Sequence, residues 1–258
     1  MSLLRVETLS KRFGGLLAVN EVDFAVEEGQ ILSVIGPNGA GKSTLFKLIA
    51  SFLQPTAGRV LLDGETISGL KPHLVAEKGV VRTFQETTVF KDMTALENVA
   101  VAHHLGLRAG PAGIFLGSAA ARADEQRFRR SAEEILDYLE LGHVRHERAR
   151  NLPHGYLRAL GIAIAMAGRP RVLLLDEPFA GMNPEEKDRA IRMVRGIRER
   201  GVTILLVEHD MPSVMRISDR VVVINFGTMI AQGTPAEVQR DEAVIEAYLG
   251  REDDELGH

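Results

Sequence analysis

The chain has 258 residues, of which 45% are hydrophobic and 26% are charged, and its formal net charge is −4. This length suits one large domain or two small ones with a substantial core. The acidic balance argues against a surface devoted to nucleic acid, and the absence of cysteine excludes disulfides and thiolate metal sites. The sequence contains neither a recognisable secretory signal nor a run of about 18 apolar residues that would span a bilayer.

The N-terminal part of the chain is predicted to form strands. Residues 3–35 are expected to give short strands, because Val22, Phe24 and Val26 alternate with Asp23 and Ala25 as in a half-buried strand. Phe13 is followed by two glycines and has two interpretations at this point, a core residue or a platform on which a flat base stacks.

A glycine-rich loop follows the apolar run 31–35 and precedes a predicted helix. The loop consists of Gly36, Pro37, Asn38, Gly39, Ala40, Gly41, Lys42, Ser43 and Thr44. The glycines allow successive N–H groups to point at an anion, Lys42 supplies a cation for β- and γ-phosphates, and the Ser43 hydroxyl can ligate Mg²⁺. A chance glycine-rich turn is the alternative, but strand, loop and helix together favour a nucleoside triphosphate site.

Polar residues that follow three further predicted strands are candidates for the same site. Gln85 ends the run 80–85, the carboxylates of Asp176 and Glu177 end the run 171–177, and His209 comes shortly after the run 202–207. In α/β sheets ligands bind at strand ends, where Asp176 could hold Mg²⁺ and Glu177 could polarise an attacking water. The alternative for each is an ordinary polar residue at a strand end.

The middle of the chain is different in character. Residues 94–104 and 119–141 have helical spacing, and the glycine-rich stretch 105–117 between them indicates a loop or insertion. Later in the chain, a helix is predicted from Asn183-Pro184 to about residue 200, a hairpin over 220–230, and a capping box at residues 234–237. The acidic tail 251–258 is expected to fray.

These motifs resemble those of the ATP-binding subunits of ABC transporters. The phosphate loop, Gln85, Asp176-Glu177 and His209 occur in the order of that family, and the resemblance covers about residues 3–250. The stretches 12–16, 80–85, 204–211 and 233–235 are similar to the ATPase of branched-chain amino-acid importers.

The resemblance implies an α/β fold with a P-loop NTPase core. The core and an N-terminal antiparallel β-subdomain would occupy residues 1–85 and 166–250, with a mixed sheet. An α-helical subdomain would be inserted at residues 86–165.

The resemblance also implies a mechanism. Two such subunits close head-to-tail around two ATP molecules, with Phe13 stacking on adenine and the loop from Gly36 to Thr44 holding the phosphates. Ser43, Gln85 and Asp176 would organise Mg²⁺. Glu177 would be the general base, with Lys42 and His209 at the γ-phosphate.

The implied partners are a second ATPase subunit, the same or different, two transmembrane permeases and, indirectly, a periplasmic or extracellular solute-binding protein. The chain would sit peripherally on the cytoplasmic face of the inner membrane and bind no nucleic acid.

The family's signature motif departs from its usual form here. Leu-Ser-Gly-Gly-Gln falls on residues 152–156, where only Leu152 and Gly155 are retained, and Pro153 lacks the serine hydroxyl that would contact a partner's γ-phosphate. We therefore expect a weak composite site. Alternatives to the importer are the ATPase of a lipopolysaccharide-type exporter, a soluble ABC ATPase outside transport, and a module that binds ATP but barely hydrolyses it.

Overall fold

The structure is a computed structural model that describes residues 2–83, 89–103 and 118–249. The chain divides into two compact units. The first comprises residues 1–80 and 171–258, and the second comprises residues 81–170.

Strands and helices are interspersed along the chain, with three consecutive strands at its N-terminal end. The strands are β1 (Ser2–Phe13), β2 (Leu16–Glu27), β3 (Ile31–Ile35), β4 (Ala57–Leu62), β5 (Glu65–Thr66), β6 (Val80–Arg82), β7 (Val172–Asp176), β8 (Thr203–Val207), β9 (Arg220–Asn225) and β10 (Thr228–Gly233). The helices are α1 (Lys42–Ile49), α2 (Pro72–Glu77), α3 (Ala95–Val101), α4 (Ala119–Tyr138), α5 (His154–Ala167), α6 (Pro184–Glu199), α7 (Met211–Ile217), α8 (Pro235–Val238) and α9 (Glu242–Leu249).

An antiparallel sheet with the order β2-β1-β4-β5 forms the N-terminal part of the first unit. The expectation of short strands over residues 3–35 was wrong for β1 and β2, which are 12 residues long each. Four register shifts interrupt their pairing. A bulge moves the side chains that follow it to the other face of the sheet. These strands therefore lack the continuous alternation of apolar and polar residues from which a long strand is predicted.

The second sheet of the first unit is mixed and has the order β10-β9-β3-β8-β7-β6. Strands β9, β3, β8 and β7 pair in parallel with one another in that order, whereas β10 pairs antiparallel with β9. The runs 31–35, 172–175 and 203–207 are wholly buried, as expected for parallel strands covered on both faces. Val207 is in register with both Val34 and Asp176, so the carboxyl ends of β3, β8 and β7 meet at one edge.

The second unit is helical. Helix α3 starts with a capping box between Thr94 and Glu97, and it packs against α4 and α5. The buried amide of Asn98 accepts from the N–H of Phe90 at 2.8 Å and donates to the carbonyl of Phe90 at 3.1 Å, which ties the preceding segment to the helix. Helix α4 ends at Tyr138, three residues before the predicted end.

Several further predictions can be compared with the described residues. The hairpin at Asp63-Gly64, the helix after Asn183, the hairpin β9–β10 and the capping box at Thr234 are confirmed. Gln85, the glycine-rich stretch 105–117 and the tail 251–258 lie outside the described residues. Within the described ranges, no helix combines the length and the apolarity needed to cross a bilayer.

Candidate nucleotide site

The loop between β3 and α1 depends on glycine at two close contacts. Gly36 and Gly41 have φ values of 154° and 102°, in the range that favours glycine. A Cβ at Gly36 would lie 2.0 Å from the carbonyl oxygen of Ile224, and one at Gly41 would lie 2.4 Å from that of Ala18. Any side chain at these two positions would displace the loop, so the sequence specifies its path.

The loop leads directly into the N-terminus of α1. Gly41 is the N-cap in a left-handed conformation and provides no side-chain cap, and the first helical hydrogen bond joins the N–H of Leu45 to the carbonyl of Gly41 at 2.9 Å. The N–H groups of a first helical turn have no partners within the helix, and the helix dipole adds positive potential. This end of α1 is therefore suited to hold phosphate.

The Lys42 side chain lies across the loop. Its Nζ donates to the carbonyl oxygens of Gly36 at 2.6 Å and Pro37 at 3.0 Å, and the residue is buried. The loop thus holds a cation at its centre by its own backbone, beside the N-terminus of α1.

A cleft of about 380 Å³ opens above the phosphate loop. It is lined by Leu16, Leu17, Ala18, Asn38, Gly39, Ala40, Gly41, Lys42, Ser43, Thr44, Glu177, Phe226 and Gly227. The phosphate-binding candidates from Asn38 to Thr44 therefore share one cavity with Glu177. The apolar lining residues come from β2 and the β9–β10 turn, and they suit a nucleoside rather than a phosphate.

Phe226 is one of these apolar lining residues and was not a candidate from sequence. It is 74% exposed and occupies the tip of the β9–β10 hairpin with φ 46°, a backbone conformation that is uncommon for a bulky residue. The hairpin is fixed to the phosphate loop by the N–H of Gly227, which donates to the Ala40 carbonyl at 2.9 Å. No sequence motif marks this position; only the fold brings the turn beside the loop.

Phe13 lies at the end of β1 and is 44% exposed. The ammonium group of Lys11 lies 5.1 Å from the centre of its ring. Phe13 is not among the residues that line the cleft, whereas its neighbours from Leu16 to Ala18 are. A base that reached Phe13 would extend past these three residues, so the role of Phe13 as a stacking platform remains a prediction.

The acidic and histidine candidates from sequence are brought together at the strand ends. Asp176 ends β7, Glu177 lines the cleft, and the Nδ1 of His209 lies 3.8 Å from the Oε1 of Glu177. Glu177 adopts φ 47° and donates its N–H to the Val207 carbonyl at 2.9 Å. Such strained non-glycine residues concentrate at functional sites.

Glu208 directly follows β8 and precedes His209. Its position in the sequence gave no indication of a role. It is fully buried at 0% exposure. Its carboxylate accepts hydrogen bonds from the N–H of Phe179 at 2.8 Å and of His209 at 3.1 Å. Burial raises the pKa of Glu208, although these backbone hydrogen bonds act in the opposite direction.

The altered signature lies at the start of α5 in the second unit. Leu152 is buried, Pro153 is the N-cap without a side-chain hydrogen bond, and the helix begins at His154 with Gly155 in its first turn. The Tyr156 hydroxyl lies 3.2 Å from the His143 Nε2. The first-turn N–H groups of α5 therefore receive no side-chain cap from residue 153, in contrast to the capped starts of α3 and α6.

Comparison with known proteins identifies the family of this site. Residues 19–180 match a family model described as "ABC transporter", and residues 228–254 match one described as "Branched-chain amino acid ATP-binding cassette transporter". This chain belongs to the ABC transporter family. The resemblance inferred from the order of the motifs is thereby confirmed.

Similar proteins match this ABC ATPase over nearly its whole length. It is 48% identical to the high-affinity branched-chain amino acid transport ATP-binding protein BraF of Pseudomonas aeruginosa, over 96% of this chain and 98% of BraF. It is 44% identical to the corresponding protein LivG of Escherichia coli K12, over 96% and 98%. The ADP conformation of MJ1267, a cassette of an ABC transporter, superposes with a TM-score of 0.85 at 31% identity, over 97% of this chain and 99% of that one.

The α/β fold predicted for an ABC ATPase is also confirmed, since the chain has the mixed sheet and the antiparallel N-terminal sheet of that prediction. The ABC ATPase family binds ATP. The residues fit this ligand, because a phosphate-binding loop and apolar residues line the same cavity. Family membership does not by itself assign roles to individual residues of this chain.

Proposed function

We propose that this chain is the ATP-hydrolysing subunit of an importer for branched-chain amino acids. The observation that carries the proposal is the match of residues 228–254 to the branched-chain transporter model, because this segment lies outside the residues 19–180 that match the general ABC transporter model. The similarity to BraF and LivG over the full chain supports it. A lipopolysaccharide-type exporter ATPase, which the motifs alone left open, is less similar: the export ATP-binding protein LptB of Haemophilus influenzae is 31% identical to this chain, against 48% for BraF and 44% for LivG.

The cleft residues divide into those that bind and those that react. The loop from Gly36 to Thr44 binds the triphosphate, with Lys42 at the β- and γ-phosphates. Glu177 accepts a proton from the attacking water, and His209, beside it, contacts the γ-phosphate. Phe13 is proposed to contact the base.

Mg²⁺ is the proposed cofactor. The Ser43 hydroxyl lines the cleft and the Asp176 carboxylate ends the neighbouring strand, and such oxygen donors suit this ion. Gln85, whose placement is outside the described residues, is the third proposed ligand. When bound, the ion neutralises charge on the phosphates during transfer.

The assembly is proposed to contain two ATPase subunits, equal or different, two permeases and a solute-binding protein. In this arrangement Leu152 and Gly155 of one subunit face the nucleotide of the other. The chain would be peripheral, on the cytoplasmic face of the inner membrane, and would bind no nucleic acid.

Uptake measurements test this function. A strain that lacks this chain is expected to lose most of its high-affinity uptake of radiolabelled leucine, isoleucine and valine. The wild-type chain should restore uptake, whereas Glu177→Gln, produced at equal level, should not. Uptake of an unrelated solute serves as the control. Unchanged uptake of all three amino acids in the deletion strain, with no second system expressed, would contradict the proposal.

A further inference from the structure

Glu208 is a buried carboxylate whose acceptor sites are directed at backbone N–H groups. Its Oε1 accepts from the N–H of Phe179 at 2.8 Å. Its Oε2 accepts from the N–H of His209 at 3.1 Å and of Asp210 at 3.4 Å. Burial of a carboxylate costs folding free energy unless its oxygens are hydrogen-bonded. The fully buried carboxylate of Glu208 meets this need and connects the segment after β7 to the segment after β8.

The segment after β7 carries Glu177 in a strained conformation with φ 47°. Glu177 donates its N–H to the carbonyl of Val207 at 2.9 Å, Pro178 has no N–H, and Phe179 donates to Glu208. Every backbone donor of this three-residue stretch is thus bonded to residues 207 and 208. A strained backbone conformation is maintained only where surrounding contacts hold it in place. The hydrogen bonds from Glu177 to Val207 and from Phe179 to Glu208 provide such contacts for Glu177.

We propose that Glu208 is a positioning residue for ATP hydrolysis, which fixes the general base Glu177 and His209 relative to each other by binding the backbones of both segments. The inference rests on the proposed roles of Glu177 and His209. Glu208 itself touches no phosphate in this arrangement; it acts through the two loops. Nucleotide binding by the phosphate loop should not depend on it, since the loop after β3 is held by other contacts.

The test is Glu208→Gln in the full chain. Glutamine keeps the shape of glutamate, but its NH₂ group faces backbone donors on one side, so one of the two segments loses its acceptor. The turnover number is expected to fall about ten- to a hundredfold, as for loss of a hydrogen bond to a charged group. The dissociation constant for Mg-ATP should stay within about threefold of wild type, because the loss concerns the chemical step.

A double-mutant cycle with Glu177→Gln separates positioning from general damage. If Glu208 acts through Glu177, Glu208→Gln should lower the single-turnover rate less in the Glu177→Gln background than in wild type, because only its effect on His209 remains there. Independent multiplication of the two effects would overturn the proposal. So would an unchanged turnover number in Glu208→Gln, or a turnover loss matched by an equal loss of ATP affinity.

Thr203→Val is the matched structural control. Thr203 is also fully buried and begins β8, the strand that ends just before Glu208, and its hydroxyl accepts from the N–H of Gly29 at 2.9 Å. This variant should lower thermal stability while turnover per folded molecule is unchanged. If Glu208→Gln does not fold, Glu208→Asp, which keeps the charge on a shorter side chain, enters the same cycle with the same criteria. A wild-type chain that binds no ATP would overturn the proposed function as well as the role of Glu208. An active wild-type chain together with an unchanged turnover number in Glu208→Gln would overturn only the positioning role.

Discussion

Glu177 illustrates how the site is organised at the scale of single residues. Its carboxylate stands in the cleft and beside His209, while its backbone is held by β8. Glu177→Gln keeps this geometry and removes the basicity of the side chain. We expect turnover to fall by about 10²–10⁴-fold with ATP affinity nearly unchanged, as for removal of a general base.

Single-turnover assays and equilibrium binding of Mg-ATP measure these two quantities for Glu177→Gln. The variant should also accumulate in an ATP-bound dimer on size-exclusion chromatography. Turnover within twofold of wild type would remove Glu177 from the role of general base.

Lys42 is the second residue whose environment gives a specific expectation. Its Nζ is bonded to two loop carbonyls, so Lys42→Ala removes both internal hydrogen bonds and the only cation among the residues that line the cleft. We expect weaker ATP binding or loss of turnover with an unchanged circular dichroism spectrum. ATP affinity and turnover equal to wild type would reject the phosphate-loop assignment.

At the scale of elements, the start of α5 differs from those of α3 and α6. These two helices begin with capping boxes at Thr94 and Asn183, whereas Pro153 has no side-chain group to cap α5. Pro153→Ser is therefore expected to stabilise the chain by about 0.5–2 kcal/mol through capping. It should also raise the ATPase rate severalfold, because the hydroxyl restores a donor for a partner's γ-phosphate.

Thermal unfolding and ATPase assays, on the chain alone and with its partner ATPase, test Pro153→Ser. A gain in stability without any gain in rate would mean that the native motif already functions fully. Tyr156→Gln is best added as a separate step, because it also removes the contact of Tyr156 with His143.

His103, which follows α3, contacts helix α4. His103 is buried; its ring lies 3.0 Å from the Val99 carbonyl and 2.9 Å from the Ser131 hydroxyl, and stacks on Phe128. Burial lowers the pKa of His103, and the nearby charges of Arg169 and Arg127 act in the same direction. The unfolded chain therefore takes up this proton at a higher pH than the folded chain does.

It follows that His103 contributes stability above its unfolded pKa of about 6.5, and that this contribution decreases as the pH falls towards the folded pKa. We expect the free energy of unfolding of wild type to decrease from about pH 7.5 to about pH 5.5 more steeply than that of His103→Gln. Denaturant titrations at both pH values measure the difference. Equal pH slopes would show that His103 does not contribute.

At the scale of the whole molecule, local patterns in the sequence were enough to propose most residues of the candidate site, whose roles stay predictions. The phosphate loop and the polar residues after β7 and β8 could be predicted because each directly follows a short apolar run that is recognisable as a buried strand. The parallel order of these strands then brings the ends together at one edge of the sheet. The fold class followed from the same motifs through the family they resemble.

Features that depend on contacts between distant segments were not predicted. The role of Glu208 depends on Phe179, 29 residues away, and a charged residue after a strand gives no local sign of burial. Phe226 lies in no motif, and its place beside the phosphate loop depends on the pairing of β9 with β3. The lengths of β1 and β2 were missed because bulges disrupt their alternation.

The exposed ring of Phe226 at the edge of the cleft also offers a spectroscopic reporter. The chain contains no tryptophan, so Phe226→Trp introduces a single indole. Its fluorescence can be excited at wavelengths longer than those that the three tyrosines absorb. The hydrogen bonds of Gly227 to Ala40 and of Asn20 to Gly227 fix the turn that carries this residue to the phosphate loop and to β2. The fluorophore would therefore respond to events in the cleft rather than to free motion of a loop, and nucleotide arrival and departure could be followed in real time without a dye.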